Sequence, residues 1–321
     1  MKNKVALIIP YYGSLPSYFP LFISSMKNKP LDVLFFSDNS APENLPSNIV
    51  WKTVEFEELK KLFDEKLDMN VSLDKPYKFC DLRPAFGLVF ENFLEEYDFW
   101  GTSDVDLVLG NFEKFISEEV LSKTDVYSSS KSYLTGPFFL IRNNSYCNML
   151  FKNSRDWLKV CTTKKYLRFE ECGGNYFKKL KRGVSIFDLN TRIQSFTEIL
   201  FIEAQKGLRL LFTDTILETK GTVPAQVTEN EVLYQGKEYL LLHYIFIKQK
   251  FYFFANPAIK NLPCYINSFG IFKSKPSLIN FLLSVNLLNA IKNLPYGVIR
   301  RIRHKYLPPD KNNIRYLEPK I

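Results

Sequence analysis

Cysteine is sparse in this 321-residue chain, and its five positions (Cys80, Cys147, Cys161, Cys172, Cys264) form no C-x-x-C pair. Scattered and odd in number, they support neither a zinc site nor a disulfide framework, and they fit a reducing cytosol. Long apolar runs are also missing. Nothing approaches the ~20 residues of a membrane span, and Val5–Ile9, behind Lys2 and Lys4, is too short for a secretory h-region. A soluble or peripheral protein is expected. Histidine occurs only at 243 and 304, and no internal repeat or low-complexity segment is present.

The body of the chain lacks net charge. Residues 258–321 hold eleven Lys/Arg and two Asp/Glu, whereas residues 1–257 hold 32 of each sign, so the tail carries the whole formal excess of +9. A nucleic-acid binder would place its basic face on the main domain. A basic tail on a neutral body points instead to an anionic surface such as a membrane. The division expected is a catalytic domain over 1–257 and a basic amphipathic extension over 258–321. In that extension, Ser277–Leu294 is rich in apolar residues, and Val298–Leu307 interleaves apolar side chains with Arg300, Arg301, Arg303, His304 and Lys305. The pattern reads as a helix in a membrane interface or as a helical cap on the body.

What remains is ample for a core: 46% hydrophobic residues, 16% aromatic and 24% charged. Val5–Ile9 and Val33–Phe36 are continuous apolar runs, the signature of strands buried on both faces in a parallel sheet. Helical spacing over Tyr18–Lys27 joins them into a βαβ unit. Ile49–Val54 reads as a third strand, and Phe56–Leu67 as a helix with Phe56, Leu59, Phe63 and Leu67 on one face. A helix is expected over Leu82–Tyr97 with Asp81 as N-cap, and another from Asn111 to about Leu121. Asn144–Lys159 also has helical spacing. Phe99–Ser103, Asp125–Ser129, Phe138–Arg142, Leu208–Thr213 and Tyr239–Phe246 read as strands, and Thr162–Gly183 as irregular.

The chemistry centres on Trp100-Gly-Thr-Ser-Asp104-Val-Asp106. Ligands of open α/β sheets bind beyond the carboxyl ends of strands, and two aspartates there call for a cation. Hard oxygen donors favour Mg²⁺ or Mn²⁺, which can stabilise a diphosphate leaving group.

The opening Val-Ala-Leu-Ile-Ile-Pro-Tyr-Tyr-Gly13, the strand ending at Asp38 and the Asp-Val-Asp after a strand resemble the GT-A glycosyltransferase layout. Lys75–Gly87, Tyr97–Gly101 and Asp104–Gly110 are similar to an uncharacterised bacterial family related to capsule and lipopolysaccharide glycosyltransferases. The similarity spans roughly the first 250 residues. It implies an α/β, Rossmann-like GT-A fold, with a mostly parallel central sheet flanked by helices, followed by a helical basic C-terminal extension. It further implies that Pro10, Tyr11 and Tyr12 hold the nucleobase or ribose, with Asp38 accepting from either. Lys78 and Asp81 would face nucleotide and sugar with Arg83 nearby, and a lysine is a point charge suited to phosphate. Asp104 and Asp106 would bind ribose and metal, with His243 as a third protein ligand and Lys248 or Lys250 on the diphosphate. Thr135-Gly-Pro-Phe138 would floor the acceptor site. An acidic pair follows in inverting enzymes, here Glu170-Glu171, with Glu171 the preferred base and Glu170 second.

The function expected is therefore metal-dependent transfer of a sugar, by inversion, from a nucleotide-diphosphate sugar, UDP-linked first, to a glycan or lipid-linked glycan at the cytoplasmic face of a membrane. A nucleotidyltransferase also uses two aspartates and Mg²⁺, but Pro10–Pro16 lacks the basic residues of that class's first loop. An inactive membrane-associated scaffold of the same fold predicts a broken metal triad.

Overall fold

The computed structural model describes residues 2–250, 253–256 and 258–276. The apolar runs form strands as their patterning requires: β1 (Val5–Pro10), β2 (Asp32–Ser37), β3 (Ile49–Thr53) and β4 (Phe99–Ser103). Further along the chain lie β5 (Leu107–Leu109), β6 (Val126–Ser128), β7 (Phe138–Arg142), β8 (Leu210–Phe212) and β9 (Ile216–Leu217). Among the described residues the main sheet has seven strands in the order β3-β2-β1-β4-β7-β6-β8. Its β3-β2-β1-β4 half is parallel throughout. In the other half β7 runs antiparallel to β4 and β6, and β6 and β8 are parallel.

Strand side chains alternate between faces, and here both faces are covered. Ala6, Ile8, Leu34, Phe36 and Trp100 pack on one side with Leu59, Phe63 and Leu67 of helix α2 (Phe56–Leu67). Val5, Leu7, Ile9, Val33 and Phe35 pack on the other with Phe19, Phe22 and Met26 of helix α1 (Phe19–Met26). Double burial explains why these strands read as unbroken apolar runs. Between β4 and β7 the backbones approach so closely that a Cβ on Gly101 would lie 2.0 Å from the Phe139 carbonyl oxygen.

The second half of the fold departs from the expected elements. Five more strands follow β9 up to residue 255: β10 (Ala225–Thr228), β11 (Glu231–Tyr234), β12 (Lys237–Tyr239), β13 (Leu241–His243) and β14 (Phe254–Ala255). β15 (Cys264–Asn267) and β16 (Gly270–Phe272) complete a six-stranded sheet in the order β12-β11-β10-β15-β16-β14. A boundary at 257/258 therefore falls inside this sheet, because β15 pairs antiparallel with β10. The single strand expected over Tyr239–Phe246 is divided: β12 joins the six-stranded sheet, β13 joins a three-stranded sheet β5-β13-β9, and Ile245–Lys248 is helical.

Three long helices expected from spacing are also broken. Leu82–Tyr97 is a chain of short turns within Phe79–Phe93, where Gly87 packs so tightly on Trp100 that its would-be Cβ meets the indole at 2.4 Å. Asn111 does cap Phe112–Phe115, but Ser117 caps a second helix, Glu118–Ser122. Asn144–Lys159 divides into Ser145–Met149, Leu150–Asn153 and the start of Trp157–Thr162. The amphipathic segments Ser277–Leu294 and Val298–Leu307 lie outside the described residues. Among those described, no helix is long and apolar enough to cross a membrane.

Candidate active site

The turn from β4 to β5 leaves the main sheet and enters the three-stranded one, with Val105 packed into the core between the two aspartates. β13 runs antiparallel to β5 and sets His243 opposite Leu107. The Tyr244 N–H donates to the Asp106 carbonyl at 3.1 Å. β9 runs parallel to β13 with Leu217 opposite Leu242, so the next residue, Glu218, falls beside His243. Backbone register thus gathers four groups from three distant stretches of sequence.

The imidazole Nε2 faces Asp106 Oδ2 at 3.4 Å and Asp104 Oδ2 at 3.6 Å, and Nδ1 meets Glu218 Oε1 at 3.0 Å. One ligand atom from each of Asp104, Asp106 and His243 lies within 4.8 Å of the others. The His243 side chain is 2% exposed, and Nε2 has no hydrogen-bond partner among the described residues. Burial disfavours the imidazolium, but Asp106 and Glu218 outweigh it and raise the ring to about 10. Burial likewise opposes ionisation of Asp106, yet the Lys248 ammonium at 2.8 Å and His243 hold its carboxyl far below the usual range. Asp104 is divided: Oδ1 pairs with Arg83, while Oδ2 faces the cluster.

These residues fit a divalent cation. A buried imidazole nitrogen that makes no hydrogen bond to a described residue converges with two carboxylates, and its other nitrogen is held by a third, an arrangement that fixes the tautomer of a ligating histidine. Mixed carboxylate and imidazole donors suit Mn²⁺, and the carboxylates alone suit Mg²⁺.

A second acidic group sits nearby on the 162–190 segment. Glu171 Oε1 accepts from the Gly136 N–H at 3.4 Å, and Tyr166 donates its hydroxyl to Glu170 Oε1 at 2.7 Å. Burial raises Glu171 to about 7 against the pull of Arg168. Burial and the neighbouring Glu171 charge push Glu170 well above its ordinary range. Gly136, in the expected acceptor floor, is closely confined, since a Cβ there would come within 2.8 Å of Arg83 Nη1 and 3.5 Å of Glu170 Oε1.

Both acidic groups open into one cleft of about 730 Å³, which Pro10, Tyr11, Tyr12, Arg83 and Lys248 also line. Five expected residues do not line it, and one of them, Phe138 of the expected acceptor floor, is fully buried in the core. Asp38 is exposed beside the first loop, where its Oδ1 accepts from the Gly13 N–H at 3.2 Å. Lys250 donates to the Lys220 carbonyl at 2.7 Å. Lys78 and Asp81 are buried together at 2.7 Å. Lys78 also donates to the Lys165 carbonyl, and Asp81 accepts from the Leu167 and Phe169 N–H groups at 2.8 and 2.9 Å. Lys78 is therefore spent on the protein rather than offered to phosphate. Asp81 is no N-cap, but an anchor for the strip of backbone that leads into Glu170-Glu171.

Sequence reasoning missed Glu218, Tyr166 and Arg168. A ligating histidine implies a carboxylate behind it, but only the β9–β13 register identifies Glu218, 25 residues before His243. His304 lies outside the described residues.

Residues 7–274 match the model of a family of unknown function (DUF6625), and the chain belongs to that family. No curated protein matches it. Among solved structures it is similar to the glycosyltransferase GlyE of Streptococcus pneumoniae TIGR4, at 12% identity and a TM-score of 0.27. That alignment covers 65% of this chain, which spans 45% of the GlyE chain.

Proposed function

We propose that this DUF6625 member is a metal-dependent glycosyltransferase of the GT-A type that uses a nucleoside-diphosphate sugar. The observation that carries the reading is one cleft holding both the Asp104–Asp106–His243 cluster and the Glu170–Glu171 pair. The two acidic groups differ in the way donor and acceptor chemistry requires. Asp104, Asp106 and His243 would hold Mn²⁺ or Mg²⁺, and such an ion neutralises the charge that develops on a departing diphosphate. Lys248, beside Asp106, adds a cation on the same side. Tyr11, with Pro10 and Tyr12, lines the wall beyond β1 where a nucleobase or ribose would rest.

Glu171 is the residue proposed to deprotonate the acceptor hydroxyl. A carboxyl raised to about 7 is a stronger base than an ordinary glutamate and is still substantially ionised at neutral pH. The hydroxyl oxygen bonds to the anomeric carbon as the bond to the diphosphate breaks, and its proton passes to Glu171. Displacement from the opposite face inverts the anomeric centre. Glu170, pushed well above its ordinary range by burial and by the Glu171 charge, sits beside that base with its Oε1 accepting from the Tyr166 hydroxyl.

Calorimetry with UDP, GDP and CMP, each with and without Mn²⁺, tests the reading. Tight binding of one nucleoside diphosphate only with metal supports it, and equal binding in EDTA overturns it. A nucleotidyltransferase would prefer a nucleoside triphosphate in the same experiment.

The tail is proposed to dock on anionic lipid and bring the cleft to a lipid-linked glycan at the inner face of the cytoplasmic membrane. Each Lys or Arg near an anionic leaflet contributes about 1 kcal/mol, and Arg300, Arg301, Arg303 and Lys305 lie close together in sequence. Replacing all four with Ser should release the protein from phosphatidylglycerol vesicles, as read by co-sedimentation. Undiminished binding would refute membrane docking and leave the glycosyltransferase reading intact.

A further inference from the structure

Three arginines of the body are less than a quarter exposed, and two are spent on the protein. Arg83 pairs with Asp104. Arg142 bonds Asp125 at 2.9 Å and the Leu121 and Thr124 carbonyls at 2.7 and 2.8 Å. The third, Arg168, has a side chain 22% exposed and donates no hydrogen bond to any described residue. Its one ion pair among the described residues, to Glu171 Oε2, is a long 3.7 Å. The guanidinium is nonetheless held in place, with its carbon 5.3 Å from the Tyr166 ring centroid and 5.2 Å from that of Phe177. Aromatic neighbours orient the planar cation and strip its water without using its N–H groups.

The backbone reinforces that placement. Arg168 has φ 59°, a left-handed conformation that non-glycine residues rarely adopt. Its carbonyl accepts from the Glu171 and Gly173 N–H groups at 3.2 and 2.9 Å, closing the turn that presents Glu170 and Glu171. The flanking Leu167 and Phe169 N–H groups are fixed by Asp81. The exposed Lys178 and Lys179 line the same cleft.

We infer that Arg168 forms an oxyanion subsite beside the acidic pair, so that the sugar acceptor of the proposed reaction carries a carboxylate or a phosphate. A pre-oriented guanidinium with free donors matches either group bidentately. The word acceptor rests on the glycosyltransferase reading, whereas the anion subsite does not. The carboxylate would come from a uronic acid in a glycan, and the phosphate from a phosphorylated glycan or carrier.

Titration of the full chain with methyl glucuronide, methyl phosphate and methyl glucoside, followed by calorimetry without metal, separates these sources. At least one anion should bind about tenfold or more tighter than the neutral glucoside, the size of a charge-assisted hydrogen bond. R168Q should abolish that preference, and R168K should reduce it, since a point charge lacks the fork. Affinity for UDP with Mn²⁺ should be unchanged in both variants. A preference for glucuronide assigns a uronic acid, and one for methyl phosphate assigns a phosphorylated acceptor. No preference in the parent, or one that survives R168Q, overturns the subsite. Loss of UDP affinity in R168Q moves Arg168 to the donor side and overturns its acceptor role. Failure of the parent to bind UDP with Mn²⁺ counts against the donor reading alone. In the unmutated protein, phenylglyoxal labelling of Arg168, read by peptide mass spectrometry, should be suppressed by the favoured anion. Labelling that the anion does not change also overturns the subsite.

Discussion

The two carboxylate pairs of the cleft have similar chemistry and opposite fates. Asp104 and Asp106 face cations: Arg83 on one, Lys248 and His243 on the other, and Asp106 is held strongly ionised despite its burial. Glu170 and Glu171 are buried against each other, and the Tyr166 hydroxyl at Glu170, the Gly136 amide and long Arg168 pair at Glu171 and the Arg83 charge do not offset that burial, so both are pushed up. Environments that drive carboxyls apart in this way separate a permanent anion from a proton acceptor. The first pair suits a metal, and the second suits general-base work.

The comparison breaks most completely at Asp106. Asp106→Ala should reduce Mn²⁺-dependent nucleotide-sugar hydrolysis to background and abolish Mn²⁺ binding by calorimetry, with circular dichroism unchanged. Retained activity in EDTA would dissolve the distinction between the pairs. Next in size, Glu171→Gln should lower turnover by about 10²–10⁴-fold with little change in nucleotide affinity. In the parent the rate should climb with pH and level off above about 7, because the base must lose its proton. That limb should vanish in the variant, and a matching loss of nucleotide affinity would make Glu171 a binding residue instead.

A smaller effect is expected at Glu218, which touches His243 but not the cleft chemistry directly. Glu218→Gln should weaken Mn²⁺ binding by about 10–100-fold, as loss of an outer partner of a ligating histidine does. Unaltered metal affinity would show that the histidine needs no carboxylate behind it. The smallest effect is on stability. The folded-state carboxyl of Glu171 is raised from 4.5 to about 7, so the folded protein binds more protons than the unfolded chain in that window. Stability therefore falls as pH rises from about 4.5 to 7, and the full cost is present above 7. Glu171→Gln should raise the melting temperature by a few degrees at pH 8, and the gain should fade toward pH 4.5. A variant less stable at pH 8 would mean that its bonds to Gly136 and Arg168 outweigh desolvation.

Legibility in the sequence followed the range of the interactions. β1, β2 and α2 were readable because burial pattern and period are local, and α2 keeps its expected bounds, Phe56–Leu67. Helical spacing misled over Leu82–Tyr97, which forms a chain of short turns, one of them packing Gly87 closely on Trp100 and Asn148. Lys78 and Asp81 carried charges that read as ligand contacts, yet their partners, Lys165, Leu167 and Phe169, lie more than 80 residues on. Arg168 was hidden for another reason: Tyr166, Glu171 and Phe177 lie close to it in sequence, but that its guanidinium donates no hydrogen bond to a described residue is visible only in the fold.

By itself the sequence determined that a buried parallel sheet would end in paired aspartates, because apolar runs and the placement of Asp104 and Asp106 are properties of neighbouring residues. The resemblance to GT-A enzymes, rather than the residues alone, pointed to Glu170-Glu171 and to the lone body histidine. Only the tertiary structure decided which carboxyls are raised and which lowered, which cation each one faces and which half-buried arginine donates no hydrogen bond to a described residue. The physical reason is that ionisation depends on burial and on charges a few ångströms away, and in this fold those charges come from strands and loops far apart in the chain.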